Sequence, residues 1–455
     1  MDDLSILSPL GMLGYGLPED SLERARSEFD LDVIAVDGGS IDPGPNYLGR
    51  GVSFVDEGML ERDLRLLVNA ALEDELPFLV GTAGGSGSSA HLDAVMTILD
   101  RVLTDIGREA DVVRINTDVE PELVMSKVTA GETSDLGMGP ATKEDIDAAE
   151  RIVAQVGVTP FIDALERGGD IVIGGRSSDL SPFAALPLQE GFDPGLTYHL
   201  AKILECGARA TTASSGNDAL VGVLDDDGFE VVPPNPERRC TVESVAAHTL
   251  YEKGDPTTIR LPEGEVDVGN ADFAAVNDRR VRVSGSTFSP SASHSVLIEG
   301  VRKAGYRTVT PAGIRDPQIV DRLEDLAEET HERVRTMADV PPDSYTLNVR
   351  AYGTGGATLF PADEPATPEE CGVIIDAVGE TQEIADTVCG FARSSLLHLP
   401  FEGRVNAGGN LAFPFSPSDI SVGSVYTLCL YHLLEDIQPD LIPEIRLQRR
   451  PGGTA

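Results

Sequence analysis

From residue 32 to about residue 215 the chain alternates short, largely apolar runs with stretches whose apolar residues recur at helical spacing. Few folds accommodate that rhythm. The runs Asp32–Val36, Pro77–Gly81, Asp111–Asn116 and Asp170–Gly174 read as strands buried on both faces. Between them, Leu60, Leu64, Leu67, Val68, Ala71 and Leu72 form one amphipathic helical face, and Leu92, Val95, Met96, Leu99 and Leu103 form another. The pattern predicts an α/β fold: a doubly wound, mostly parallel, Rossmann-like N-terminal sheet whose two sides these helical faces cover.

After about residue 215 the texture changes. Ala219–Leu224 and Phe229–Val232 flank Asp225-Asp226-Asp227-Gly228, which reads as a hairpin with an Asp-Gly turn. The alternating acidic pattern of a calcium loop is absent. Strands at Arg280–Ser284, Ser295–Glu299, Tyr345–Ala351 and Gly372–Ile375 mix with helices at Thr241–Glu252, Pro317–Met337 and Gln382–Leu397. The expected organisation is therefore an α/β domain over residues 1–215 and a smaller α+β domain over residues 216–455.

Three of the four early strands end in glycine-rich polar turns, at Asp37–Ser40, Gly81–Ser89 and Gly174–Asp179. In a parallel sheet such turns share one edge, where ligands bind beyond the carboxyl ends of the strands. Glycine allows close backbone approach, and free amides at a helix start attract an anion. Gly84, Gly85, Ser86, Gly87, Ser88, Gly174, Gly175 and Ser177 are accordingly the candidate cofactor- or phosphate-binding residues. Gly85-x-Gly87-x-x-Ala90 fits a relaxed dinucleotide fingerprint, but the acid that should end the next strand is replaced by Asn116, with Asp118 slightly late. Candidate catalytic residues are Arg176, whose fork suits a carboxylate, and His91 and Asp37 as proton carriers. Each also has a plain structural reading: an Arg176–Asp179 pair closing its loop, a packed or capping His91, a solvated Asp37. Cys206, before the helix-ending Gly207, reads as packed. Near the C-terminus, 406–419 reads as a long loop with Phe413 and Phe415 as anchors.

Charge narrows the function further. Acids outnumber bases 76 to 35 for a net charge of −41 over 455 residues, which excludes an ordinary nucleic-acid binder. The acids spread along the whole chain, and only five bases are lysines, a surface suited to high salt. Five cysteines form no CxxC pair and the seven histidines no metal-binding spacing, so neither a zinc site nor a disulfide framework is indicated. No long apolar run or leader-like opening is evident, and the expectation is a cytoplasmic protein.

The segments GGDIVIGGRSSDLSPFAALP (168–187), LAKILECGARAT (200–211), VESVAAHTLYEKGDPTTIRLPEGEVDV (242–268), RRVRVSGS (279–286) and NLAFPFSPSDI (410–420) resemble the acyclic terpene utilisation AtuA family. The resemblance implies a place in carboxylate or acyl-CoA catabolism and a separate small partner subunit. It carries over no catalytic residue. The reading it supports is a catabolic enzyme acting on a small carboxylate or acyl-CoA thioester, of hydratase or lyase type, with no metal, an unknown cofactor and a homo-oligomeric state as an option. A dinucleotide-dependent oxidoreductase and a noncatalytic subunit that needs its partner are the alternatives.

Overall fold

The structure is a computed structural model and describes residues 3–212, 217–251, 254–353, 368–402, 404 and 408–450. The chain forms two compact units, Met1–Arg302 with Leu428–Ala455, and Lys303–Thr427. The expected boundary near residue 215 falls inside the first of these.

In the first unit ten strands make one sheet: β1 (Leu4–Ser8), β2 (Val33–Asp37), β3 (Phe78–Gly81), β4 (Ala110–Asn116), β5 (Ile171–Gly174), β6 (Leu220–Leu224), β7 (Phe229–Val232), β8 (Asp272–Ala275), β9 (Val281–Ser284) and β10 (Glu444–Arg450). Their order is β8-β9-β7-β6-β1-β2-β3-β5-β4-β10. The five central strands, β1, β2, β3, β5 and β4, are parallel. Antiparallel strands extend the sheet on both sides. The sheet is thus mixed rather than mostly parallel, and its order runs one way from β1 to β3 instead of turning back at β1 as a dinucleotide-binding sheet does. The β6–β7 hairpin forms as the Asp-Gly turn predicts. Asp225 Oδ1 accepts the amides of Asp227 and Gly228, and Arg282 grips the same carboxylate with both Nη atoms.

Successive residues of the central strands alternate between two cores, as a pleated strand buried on both faces must. Val33 and Ala35 of β2 join one apolar cluster, Ile34 and Val36 the other. Both helical faces read from the sequence pack in the second cluster, so they cover the same side of the sheet, not opposite sides. The reason is topological. The crossovers β2→β3 and β3→β4 advance in the same direction, and right-handed connections advancing one way put their helices on one face. The chain then steps back from β4 to β5, and helices Thr159–Glu166, Ser181–Gln189 and Pro194–Leu204 fill the other face with Phe161, Phe183 and Leu200. A small antiparallel sheet, Thr258–Leu261, Gly264–Asp267 and Thr287–Pro290, packs Ile259 and Val266 into that same core.

The strand Val296–Ile314 belongs to both units: residues 297–301 pair with 151–155 in the first, and residues 306–314 pair with Cys371–Gly379 in the second. In the second unit Tyr345–Tyr352 adds to Cys371–Gly379. Helices Leu323–Met337 and Gln382–His398 supply Leu326, Val334, Val388 and Leu396 to its core. Thr310 Oγ1 donates to Asp419, which also holds Arg393 Nε at 2.9 Å. Of the two expected loop anchors, Phe413 packs on this core while Phe415 is 48% exposed. Residues 406 and 407 of that loop lie outside the described residues.

Candidate functional site

The three glycine turns meet. β2, β3 and β5 are neighbours and parallel, so their carboxyl ends share one edge. Gly38 N donates to Gly81 O, Ala83 N to Gly174 O, Thr82 N to Gly175 O and Arg176 N to Gly87 O, at 2.8–3.2 Å. What they meet, however, is one another. A Cβ on Gly87, at φ +67°, would lie 2.2 Å from Arg176 N, and one on Gly175 would lie 2.8 Å from Gly87 O. Gly38, Gly87 and Gly175 serve close packing of one turn's backbone on another's, while Gly84, Gly85 and Gly174 make room for the side chains of His91, Phe54 and Phe161. Gly84, Gly85, Ser86, Gly87, Ser88, Gly174, Gly175 and Ser177 are all buried. Among the loop amides, those of Thr82, Ala83, Gly85 and Gly87 are spent on carbonyls of the three turns. At the start of helix Ser89–Ile106, Ser89 N donates to Asp118 Oδ1 at 2.9 Å, so the anion that this helix end attracts is the chain's own.

His91 is also absorbed by packing. Its Nε2 donates to Val52 O at 3.1 Å and its Nδ1 accepts from Ser88 Oγ at 2.7 Å. Burial pushes its pKa down, leaving a neutral ring with both nitrogens engaged. The charges that act on it are Arg151 and Asp118, not those around Asp37.

Chemistry gathers instead around Asp37, the last residue of β2. Gly39 N donates to its Oδ2 at 3.1 Å, and its buried Oδ1 has no hydrogen-bond partner among the described residues. Burial raises the Asp37 pKa well above the carboxylate range; the charges of Asp179 and Glu205 add to this and Arg176 opposes it. Asp179 is raised as well, by burial, against the pull of Arg176 and Lys202. Two carboxyls of raised proton affinity thus lie within each other's field, with Arg176 beside them.

Arg176 is 4% exposed and its fork is filled from within. Nε donates to Glu299 Oε2 at 2.7 Å and Nη2 to Oε1 at 3.4 Å, while Nη1 reaches Ser177 O at 3.0 Å and Asp179 Oδ1 at 3.4 Å. The edge expected to grip a ligand carboxylate grips Glu299. Arg176 therefore positions Asp179 and offsets the acids around it.

Beside this cluster opens a cavity of about 590 Å³, lined by Ser178, Asp179, Lys202, Glu205, Gln155 and, from the small antiparallel sheet, Thr258 and Arg260. Lys202 and Glu205 are joined in an ion pair at the end of helix Pro194–Leu204. Among the described residues no group of three or more histidine, cysteine or acidic side chains is arranged to hold a metal ion. Glu299, Lys202 and Glu205 were missed in the sequence, yet each left a trace. Glu299 is an acid inside the apolar strand Val296–Val301, and Lys202 is one of only five lysines, three residues from an acid on a helix.

A family model described as "Acyclic terpene utilisation family protein AtuA" matches residues 57–400 of the chain. No curated protein and no solved structure matches. The matched span carries Arg176, Asp179, Lys202, Glu205 and Glu299, and leaves Asp37 outside.

Proposed function

The chain belongs to the acyclic terpene utilisation AtuA family, and from that premise we propose that it is an acid–base enzyme acting on a small carboxylate or acyl thioester, of hydratase or lyase type. One observation carries the reading: buried Asp37 and part-buried Asp179 are two acids of raised proton affinity within each other's field, and Asp179 lines a polar cavity large enough for such a substrate. Carboxyls in unlike environments divide the labour of acid and base. Asp179, 34% exposed and held by Arg176, meets the substrate and takes the proton from the carbon next to the substrate's acyl group; the electron pair of that C–H bond becomes the new double bond as the group on the adjacent carbon leaves, taking the one proton the acid pair held. Asp37, whose Oδ1 has no hydrogen-bond partner among the described residues, stores the proton that the pair shares. Arg176 holds Asp179 in place, and Glu299 holds Arg176. Five free thiols accord with a cytoplasmic setting.

The test begins with a thermal-shift screen in molar salt against carboxylates and CoA thioesters, since a ligand that binds only the folded form raises the midpoint. With the best ligand as substrate, Asp179→Asn is expected to lower kcat by about 10²–10⁴-fold while the ligand still shifts the midpoint. Turnover that survives Asp179→Asn rejects the assignment.

A further inference from the structure

A second cavity of the first unit, about 580 Å³, takes no part in the chemistry above. One wall is a face of helix Val242–Thr249 and the residues just after it: Ser244, Ala247, His248 and Tyr251 fall at the spacing i, i+3, i+4, i+7 that aligns side chains on one helix side. Arg209, from the short turn Gly207–Ala210, and Tyr15 also line it, and Asn217 Nδ2 donates to the backbone carbonyl of Tyr15 at 2.8 Å.

Three features of this cavity point to a ligand. In a chain with 76 acids and 35 bases, most arginines reach a carboxylate, yet among the described residues no carboxylate pairs with the Arg209 guanidinium. Tyr15 and Tyr251 are 41% and 44% exposed at its mouth, a display of aromatic surface that water does not favour. Beneath Tyr251 lies the imidazole of His248, stacked at 5.9 Å between ring centroids and 20° between planes, only 6% exposed and with Nε2 lacking a partner among the described residues. Burial, with Lys202 and Arg209 nearby, pushes the His248 pKa down to about 4, so the ring is an uncharged platform.

We propose that this cavity binds a planar ring carrying an anionic group, the anion on Arg209 and the ring against Tyr251 or Tyr15. A guanidinium gives directed hydrogen bonds to a phosphate or carboxylate, and the tyrosine faces accept a flat partner.

Calorimetric titration of the full chain in molar salt with AMP, benzoate and adenosine tests this. Either anion is expected to bind with a Kd below about 1 mM, and adenosine, which lacks the charge, about tenfold more weakly. Whether AMP or benzoate binds tells whether the anion is a phosphate or a carboxylate. Arg209→Ala and Tyr251→Ala, both on exposed side chains, are each expected to weaken binding about tenfold, with Arg209→Lys intermediate. Asp179→Asn leaves this binding unchanged, which separates the second cavity from the first. The proposal is overturned if neither anion binds at millimolar concentration, if Arg209→Ala has no effect, or if Asp179→Asn abolishes binding in place of Arg209→Ala.

Discussion

Asp37 sits where a carboxylate is least comfortable, and that discomfort has a sign. Its proton affinity is raised in the folded chain, so between the ordinary carboxylate pKa and the folded one the native state binds more protons than the unfolded state. Its contribution to stability therefore falls as pH rises through that window. Asp37→Asn removes the effect. The expected result is a melting temperature a few degrees above the parent at neutral pH, with the difference vanishing below about pH 4. A variant that melts lower than the parent at pH 7 would show Asp37 to be paired after all. Asp63 is the contrasting case: fully buried, it accepts the amides of Gly14, Gly16 and Leu17 at 3.0–3.1 Å. Asp63→Ala strands those donors and is expected to lower the unfolding free energy, measured in denaturant, by about 3 kcal/mol. Asp37 could be picked out in the sequence because it ends an apolar run and opens a glycine turn. Glu299 could not be tied to Arg176, because its partner lies 123 residues away and no local pattern records such a distance.

The glycine turns show that finding an element does not by itself find its purpose. Their positions follow from apolar runs, and the strands fall within a residue or two of where the pattern puts them. Their purpose does not, since a glycine needed for a ligand and a glycine needed for a neighbouring turn look alike in one dimension. Gly87→Ala separates the two. With φ at +67° and the backbone of Arg176 at 2.2 Å from the new methyl group, it is expected to cost about 3 kcal/mol or more, read as a lower midpoint in denaturant with no ligand present. An unchanged midpoint would return the loop to a binding role. Other elements escaped the sequence for plainer reasons. β10, Glu444–Arg450, is mostly charged and signals nothing apolar, yet it pairs with β4 along all seven residues. The strand Val296–Ile314 was legible only to Glu299, because Arg302, Lys303 and Gly305 break its apolar run.

For the molecule entire, charge is the governing quantity. A net charge of −41 repels itself at low ionic strength, and salt bridges on the surface recover little of that. Lowering salt from molar to about 0.1 M, where the screening length grows to about 10 Å, is expected to lower the melting temperature. A midpoint indifferent to salt would mean that the acids report composition and not habitat. Topology adds a matter of timing. β4 is complete once Asn116 has been made, but the partner that seals its outer edge is written more than three hundred residues later. A nascent chain in which that partner has yet to be made thus carries an open ladder of unpaired amides and carbonyls along this edge. Until β10 pairs with it, that edge is a template on which another extended chain can add a strand.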